Sequence, residues 1–239
     1  MKWVKDRSGR FPERPHYEPE ELDETCGEII ADFLRRQHGR VHFPVATDDL
    51  TRLIEESAED LDPYADLSDE GSDVEGVTEF LPGQRPRVRI SKEISERPEF
   101  ENRFRTTLTH EFGHVRFHDF MFQMRDGDSL FSTTAVHVSA KCNRTSIIGA
   151  PRQDWMEWQA GYVCGAILMP RRHLQEAVRG YRTAGGLGSA VLDVGSADGE
   201  ALIQKIAEQF AVSREAAKVR LLRLNLLAEA GHTGPGLFS

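Results

Sequence analysis

The sequence has few cysteines and no long apolar run. Only Cys26, Cys142 and Cys164 occur, without CxxC spacing, which favours reduced thiols in the cytoplasm over a disulfide-linked secreted domain. No apolar run approaches the roughly eighteen residues that would predict a transmembrane helix. The first residues also lack the apolar core of a secretory signal. We therefore expect a cytoplasmic protein with no membrane partner.

The chain also lacks an excess of basic residues. It has 239 residues, with 39 acidic and 30 basic side chains, and a formal net charge of -9. Eleven of the acidic side chains lie between Glu55 and Glu79, where no Lys or Arg occurs. The near-neutral remainder argues against a protein that binds nucleic acid broadly. We call residues 55–79 the acidic block.

The acidic block allows two interpretations. It can be a solvated loop, or it can border a cleft and attract a basic substrate. On the second interpretation, neutralising four of its members would slow the reaction mainly at low ionic strength. Those four are Asp66, Asp69, Glu70 and Asp73.

Apolar spacing and turn residues divide the chain into helices, a hairpin and further helices. Val74–Leu81 and Arg87–Ile90 predict a hairpin, and His42–Val45 is another candidate strand. This order predicts an α+β fold. We expect a loose arm over 1–20, a main domain over 21–180, a helix-turn-helix-like pair over 200–230 and a flexible tail over 231–239.

The most specific motif is HExxH, at His110-Glu111-Phe112-Gly113-His114. It lies in a segment whose apolar spacing predicts a helix, so both imidazoles leave one face and can bind one metal ion. Glu111 is placed to take a proton from water that the metal activates. The alternative is two surface histidines on an amphipathic helix. Gly113 weakens a helix by about 1 kcal/mol relative to Ala, which close approach of another element would explain.

A zinc hydrolase needs a third protein ligand, and Glu157 is the strongest candidate. It lies in a second predicted helix between Met156 and Trp158, where a buried carboxylate needs a partner. It could instead interact with the dipole at the start of that helix.

Other residues are weaker candidates for the third ligand. His118 lies about 12 Å along the helix from His110, so we expect it to contact a ligand or to pack, without binding the ion. The rival ligands are His137, Cys142, Cys164 and His173. Cys164 is more readily interpreted as a small core residue.

Two stretches of the chain resemble the ImmA/IrrE family of metallopeptidases. One is Thr107–His118, and the other is Glu157–Pro170, which begins with Glu, has Ala three residues later and ends on Leu-Met-Pro. The likeness covers about residues 20–228. It implies a mostly helical, zincin-like α+β domain with a small antiparallel sheet on the HExxH helix. A C-terminal helix-turn-helix-like subdomain would follow.

The resemblance also implies an activity and a site. The protein would be a gluzincin-like endopeptidase in which His110, His114 and Glu157 bind Zn²⁺ and Glu111 is the base. Mn²⁺ also suits this ligand set. Helpers for the oxyanion are expected, and the candidates are His118, His137, Arg144 and Tyr162. The link over 121–153 is unusually long for this family, and the sequence does not indicate how it affects the route by which a substrate reaches the site.

The family implies a partner as well. Its substrate is a small DNA-binding repressor of helix-turn-helix type, and cleavage relieves repression under stress. A rival function comes from the C-terminal helices, where Arg214, Lys218, Arg220 and Arg223 predict a basic side. On that interpretation the chain is a metal-bound transcription regulator that binds DNA itself. The alternative for these helices is a hairpin that packs on the catalytic domain.

Overall fold

The computed structural model describes residues 1–81, 83–127, 138–143, 154–188 and 190–229. The helices are α1 (Pro19–His38), α2 (Thr47–Glu55), α3 (Lys92–Ser95), α4 (Glu101–Gly127), α5 (Trp155–Leu168), α6 (Arg171–Ala184), α7 (Ala197–Phe210) and α8 (Arg214–Arg223). The strands are β1 (Lys2–Lys5), β2 (Glu13–His16), β3 (Asp60–Ala65), β4 (Val74–Phe80), β5 (Arg87–Ser91), β6 (Val138–Asn143), β7 (Leu192–Asp193) and β8 (Leu227–Ala228). The predicted α+β class is confirmed. Among the described residues, no helix is both long and apolar enough to cross a membrane.

The chain divides into two compact units. The first contains Met1–Thr25 and Ala46–Cys164, and the second contains Cys26–Val45 and Gly165–Ser239. These limits differ from the expected 21–180 and 200–230, because most of α1 belongs to the same unit as the C-terminal helices. The tail over 231–239 and its predicted flexibility lie outside the described residues.

A four-stranded sheet of the first unit has the order β3-β5-β4-β6. Strands β4 and β5 are antiparallel, with Thr78 opposite Val88, so the predicted hairpin is confirmed. Strand β6 is antiparallel to β4 on its other side. Strand β3 is parallel to β5 and makes the sheet mixed, which its sequence did not indicate, because Asp60 and Asp62 interrupt any apolar pattern.

The acidic block is only partly a solvated loop. Its first part forms β3, and four of its carboxylates have basic partners. Arg89 pairs with Glu70 and Glu79 at 2.6 and 2.8 Å. The other two pairs are Lys92 with Asp66 and Arg103 with Glu75. The charge of this segment is therefore balanced in part by neighbouring elements.

Residues 1–20 do not form the expected loose arm. Strands β1 and β2 pair as an antiparallel hairpin, with Trp3 opposite Pro15. Its turn carries Phe11, which is buried in a cluster that includes Phe80, Phe122 and Trp155. The polar composition of this segment concealed the few aromatic residues that hold it in place.

The second unit contains the helix-turn-helix-like pair. Ser213 is the N-cap of α8, because its side chain accepts a hydrogen bond from the Ala216 amide. Arg214 on α8 bonds Gln204 and Glu200 of α7, and Arg220 is 2% exposed and donates to the Met169 carbonyl. Arg214 and Arg220, both on the predicted basic side, therefore have partners within this unit.

The candidate strand over 42–45 is wrong. These residues form an irregular segment without strand hydrogen bonding. Phe43 packs there against Phe210 and His173, with ring centroids 5.5 and 4.7 Å apart. Its apolar residues serve the core of the second unit, which explains why their spacing suggested a strand.

Candidate metal centre

Helix α4 carries HExxH through the interior of the first unit. Every residue from Arg105 to Val115 is buried, so this part of the helix has no solvent-facing side. His110 and His114 are both 0% exposed, which rules out the alternative of two surface histidines. Hydroxyl groups satisfy helix carbonyls along the way, since Thr109 Oγ1 donates to the Arg105 carbonyl at 2.9 Å.

Donor atoms of three residues converge between α4 and α5. The Nε2 atoms of His110 and His114 are 3.2 Å apart. Glu157 Oε2 lies 3.1 Å from His110 Nε2, and Glu157 Oε1 lies 3.2 Å from His114 Nε2. Atoms that bind one Zn²⁺ at about 2.0–2.1 Å in a tetrahedral arrangement are about 3.3 Å apart. The spacing and the chemistry of this donor set therefore fit a zinc-type ion.

Glu157 lies in the first turn of α5, and its side chain is 12% exposed. Burial raises the pKa of its carboxyl, but its electrostatic interaction with His114 and its hydrogen bonds with His110 and His114 outweigh burial and lower that pKa below its usual value. The group is therefore an ionised carboxylate in a largely dry place, and such a group needs a cationic partner.

Gly113 explains how the two helices come close enough for this arrangement. A methyl group on Gly113 would lie 2.9 Å from the Ala160 Cα atom and 3.2 Å from its Cβ atom. The close approach of another element, expected from the sequence, is therefore confirmed, and the element is α5. Contact at this point lets Glu157, three residues before Ala160, reach the two imidazoles.

Glu111 lies against strand β4. Its carboxylate is 0% exposed, and its Oε2 accepts a hydrogen bond from Thr78 Oγ1 at 2.5 Å. A methyl group on Gly76 would lie 2.9 Å from Glu111 Cδ. Gly76 and Thr78 are two positions apart on β4, so both lie on the face of the strand that contacts Glu111.

His118 contacts His114, one of the two candidate metal-binding histidines. Its Nδ1 lies 3.0 Å from His114 Nδ1, and its Nε2 lies 3.1 Å from Gln159 Oε1. Burial lowers the pKa of His118 well below its ordinary value, and the neighbouring His114 lowers it further. The His118 ring is therefore neutral near pH 7.

The other candidate residues are placed elsewhere or are not described. Tyr162 is buried, and its hydroxyl donates to Asp23 Oδ2 at 2.9 Å, which commits it to a core contact. Cys164 is buried and its thiol donates to the Thr106 carbonyl at 3.5 Å, and His173 belongs to the second unit. His137, Arg144 and the side chain of Cys142 lie outside the described residues.

Sequence reasoning missed four residues around the centre: Pro15, Gly76, Thr78 and Gln159. Gln159 offered a signal, because it is a polar side chain two positions after Glu157 in an otherwise apolar helix. The other three offered none, since their roles depend on strands that pack on α4 or α5 in the folded chain.

Comparison with known proteins agrees with this geometry. The family model Peptidase_M78, described as IrrE N-terminal-like domain, matches residues 79–222, more than half of the chain. The matched range contains HExxH, Glu157 and the C-terminal helix pair. No curated protein matches the chain. The chain therefore belongs to the Peptidase_M78 family of IrrE N-terminal-like domains, which are metallopeptidase-type domains.

Proposed function

We propose that this protein is a zinc-dependent endopeptidase that cleaves a small DNA-binding repressor. The observation that carries the proposal is the convergence of His110, His114 and Glu157. Glu111 lies beside the two histidines on α4. The family supports a peptidase that uses a metal. The ligand set favours Zn²⁺, and Mn²⁺ is the alternative ion.

The residues of the centre have distinct roles in this proposal. When bound, the metal would supply a Lewis acid for water and for the peptide carbonyl. Glu111 takes a proton from the attacking water and later returns it to the leaving amine. Thr78 donates a hydrogen bond to Oε2 of the Glu111 carboxylate and thereby orients this base.

The repressor substrate is supported by the resemblance to ImmA/IrrE peptidases and by charge. A DNA-binding protein is basic on its binding surface, and the acidic block retains exposed carboxylates such as Asp69 and Asp73. Complementary charge speeds the encounter of two proteins. Where a small DNA-binding repressor is encoded beside this chain, that repressor is the first substrate to test.

The proposal is tested with Glu111→Gln. We expect the variant to bind zinc as the wild type does and to lose cleavage of that repressor, because an amide cannot take the proton. Zinc content and repressor fragments are measured on the same samples. Glu96→Gln removes an exposed carboxylate and should cleave normally. Full proteolysis by Glu111→Gln would overturn the assignment.

Direct DNA binding by the C-terminal helices is the alternative function. The positive charge that these helices could offer to DNA is reduced by the contacts of Arg214 and by the burial of Arg220. No observation therefore favours DNA binding over the peptidase. A salt-dependent gel shift with the purified protein would support it instead.

A further inference from the structure

A chain of four polar groups leads from the N-terminal hairpin to the metal centre. The Pro15 carbonyl of β2 accepts a hydrogen bond from Gln159 Nε2 at 3.0 Å. Gln159 Oε1 lies 3.1 Å from His118 Nε2, and His118 Nδ1 lies 3.0 Å from His114 Nδ1. Gln159 is 1% exposed, and both histidines are 0% exposed. The whole chain of contacts is therefore shielded from water.

The directions of these hydrogen bonds follow from the groups at the two ends of the chain. A carbonyl can only accept, so the Gln159 amide nitrogen must face Pro15 and its oxygen must face His118. That oxygen also only accepts, so His118 Nε2 carries a proton and donates it to Gln159. In the proposed centre His114 Nε2 gives its lone pair to the metal, so the proton of that ring sits on Nδ1 and is donated to His118 Nδ1.

We propose that Pro15, Gln159 and His118 form a positioning relay that holds His114 in its metal-binding tautomer, so that the N-terminal hairpin sets the affinity of the site for zinc. The inference rests on the proposed metal centre. Partners of this kind fix the ring orientation and the basicity of a ligating histidine. Pro15 lies outside the family match over 79–222, so the hairpin adds a part that the matched range does not contain.

The two ligand histidines differ in this respect. His110 Nδ1 is buried and has no hydrogen-bond partner within the part of the chain that the structure describes. His114 alone is tied to an ordered polar chain. The relay should therefore act on the centre through His114.

The test uses Gln159→Met, which keeps the length of the side chain and removes both hydrogen bonds. Zinc affinity is measured by competition with a fluorescent chelator, and we expect it to fall about 10- to 100-fold. Gln123→Met is the matched control, since Gln123 also bonds backbone carbonyls, at Leu81 and Gln84, but lies away from the relay. Its zinc affinity should equal that of the wild type.

A second pair of variants separates positioning from folding. In His118→Asn, the amide oxygen can replace Nδ1 as acceptor, whereas His118→Leu offers none. We expect the Asn variant to bind zinc at least tenfold more tightly than the Leu variant, although both remove the ring. Nitrogen-15 NMR of the metal-free protein then reports the tautomer of His118, which should be Nε2–H in the wild type and mixed in Gln159→Met.

The outcomes are distinct. Zinc affinity of Gln159→Met within twofold of the wild type, or an unchanged His118 tautomer in that variant, would overturn the relay. Failure of the wild-type protein to bind zinc would overturn the proposed function instead. The tautomer measurement decides the relay in that case as well, because it needs no metal.

Discussion

At the residue scale, the absence of a side chain is as informative as the presence of one. In the proposed peptidase, His110, Glu111 and His114 supply the chemistry, but Gly113 lets α5 approach to the point where Glu157 joins the two histidines. A larger residue at this point would meet backbone atoms of Ala160, which cannot rotate away as a flexible side chain does.

Gly113→Ala should therefore destabilise the protein although Ala favours helices. Overpacking of this kind costs about 1–3 kcal/mol, which exceeds the gain of about 1 kcal/mol in helix propensity. Denaturant unfolding monitored by circular dichroism measures the change. Gly180→Ala in α6 is the control, because a Cβ atom there meets nothing within 4 Å, and it should be neutral or stabilising. Equal stability of Gly113→Ala and the wild type would contradict the tight contact.

At the element scale, strand β4 and helix α4 jointly hold Glu111. The helix sets its position in the motif, and the strand supplies Thr78 and the space above Gly76. A hydrogen bond to a charged group contributes about 1.5–3 kcal/mol. The strand is therefore part of the proposed catalytic apparatus as well as of the sheet.

Thr78→Val should lower kcat for repressor cleavage about tenfold or more, because the carboxylate loses the donor that orients it. Zinc affinity should stay unchanged, since Thr78 contacts the base and the metal donors lie on other residues. Thr78→Ser keeps the hydroxyl and should retain most of the activity. A wild-type kcat in Thr78→Val would show that β4 does not orient the base.

At the scale of the whole molecule, the net charge of -9 is distributed unevenly even after folding. Asp66, Glu70, Glu75 and Glu79 are paired with basic side chains, so replacing Asp66 or Glu70 would disturb the fold as well as the charge. Asp69 and Asp73 are exposed and are the better probes of long-range attraction.

The double variant Asp69→Asn, Asp73→Asn should slow cleavage of a basic repressor at low ionic strength and have little effect at high salt, because screening removes the attraction. The measurement is kcat/KM over a salt series. Glu24→Gln with Glu28→Gln removes the same charge from exposed positions of α1 and serves as the control. If kcat/KM depends on salt in the same way for all three proteins, the exposed carboxylates of the acidic block do not attract the substrate.

The sequence predicted the centre better than its surroundings. Periodicity and spacing indicated α4, α5, the β4–β5 hairpin, HExxH and Glu157, because each of these depends on residues close together along the chain. It did not predict β3, whose parallel partner β5 is distant in sequence and whose side chains are charged. Nor did it predict the contacts of Pro15 and Thr78 with residues far along the chain, which only the tertiary fold creates.

The family match begins at residue 79, inside strand β4. A fragment that starts there would lose Gly76 and Thr78, and with them the surface on which Glu111 rests. It would also lose β1, β2 and β3, so α4 would expose apolar and ionisable groups that are buried in the intact chain. Such a fragment should bind zinc weakly, aggregate and fail as a peptidase. Expression of the isolated matched region would therefore underestimate the zinc affinity and the activity of the full chain.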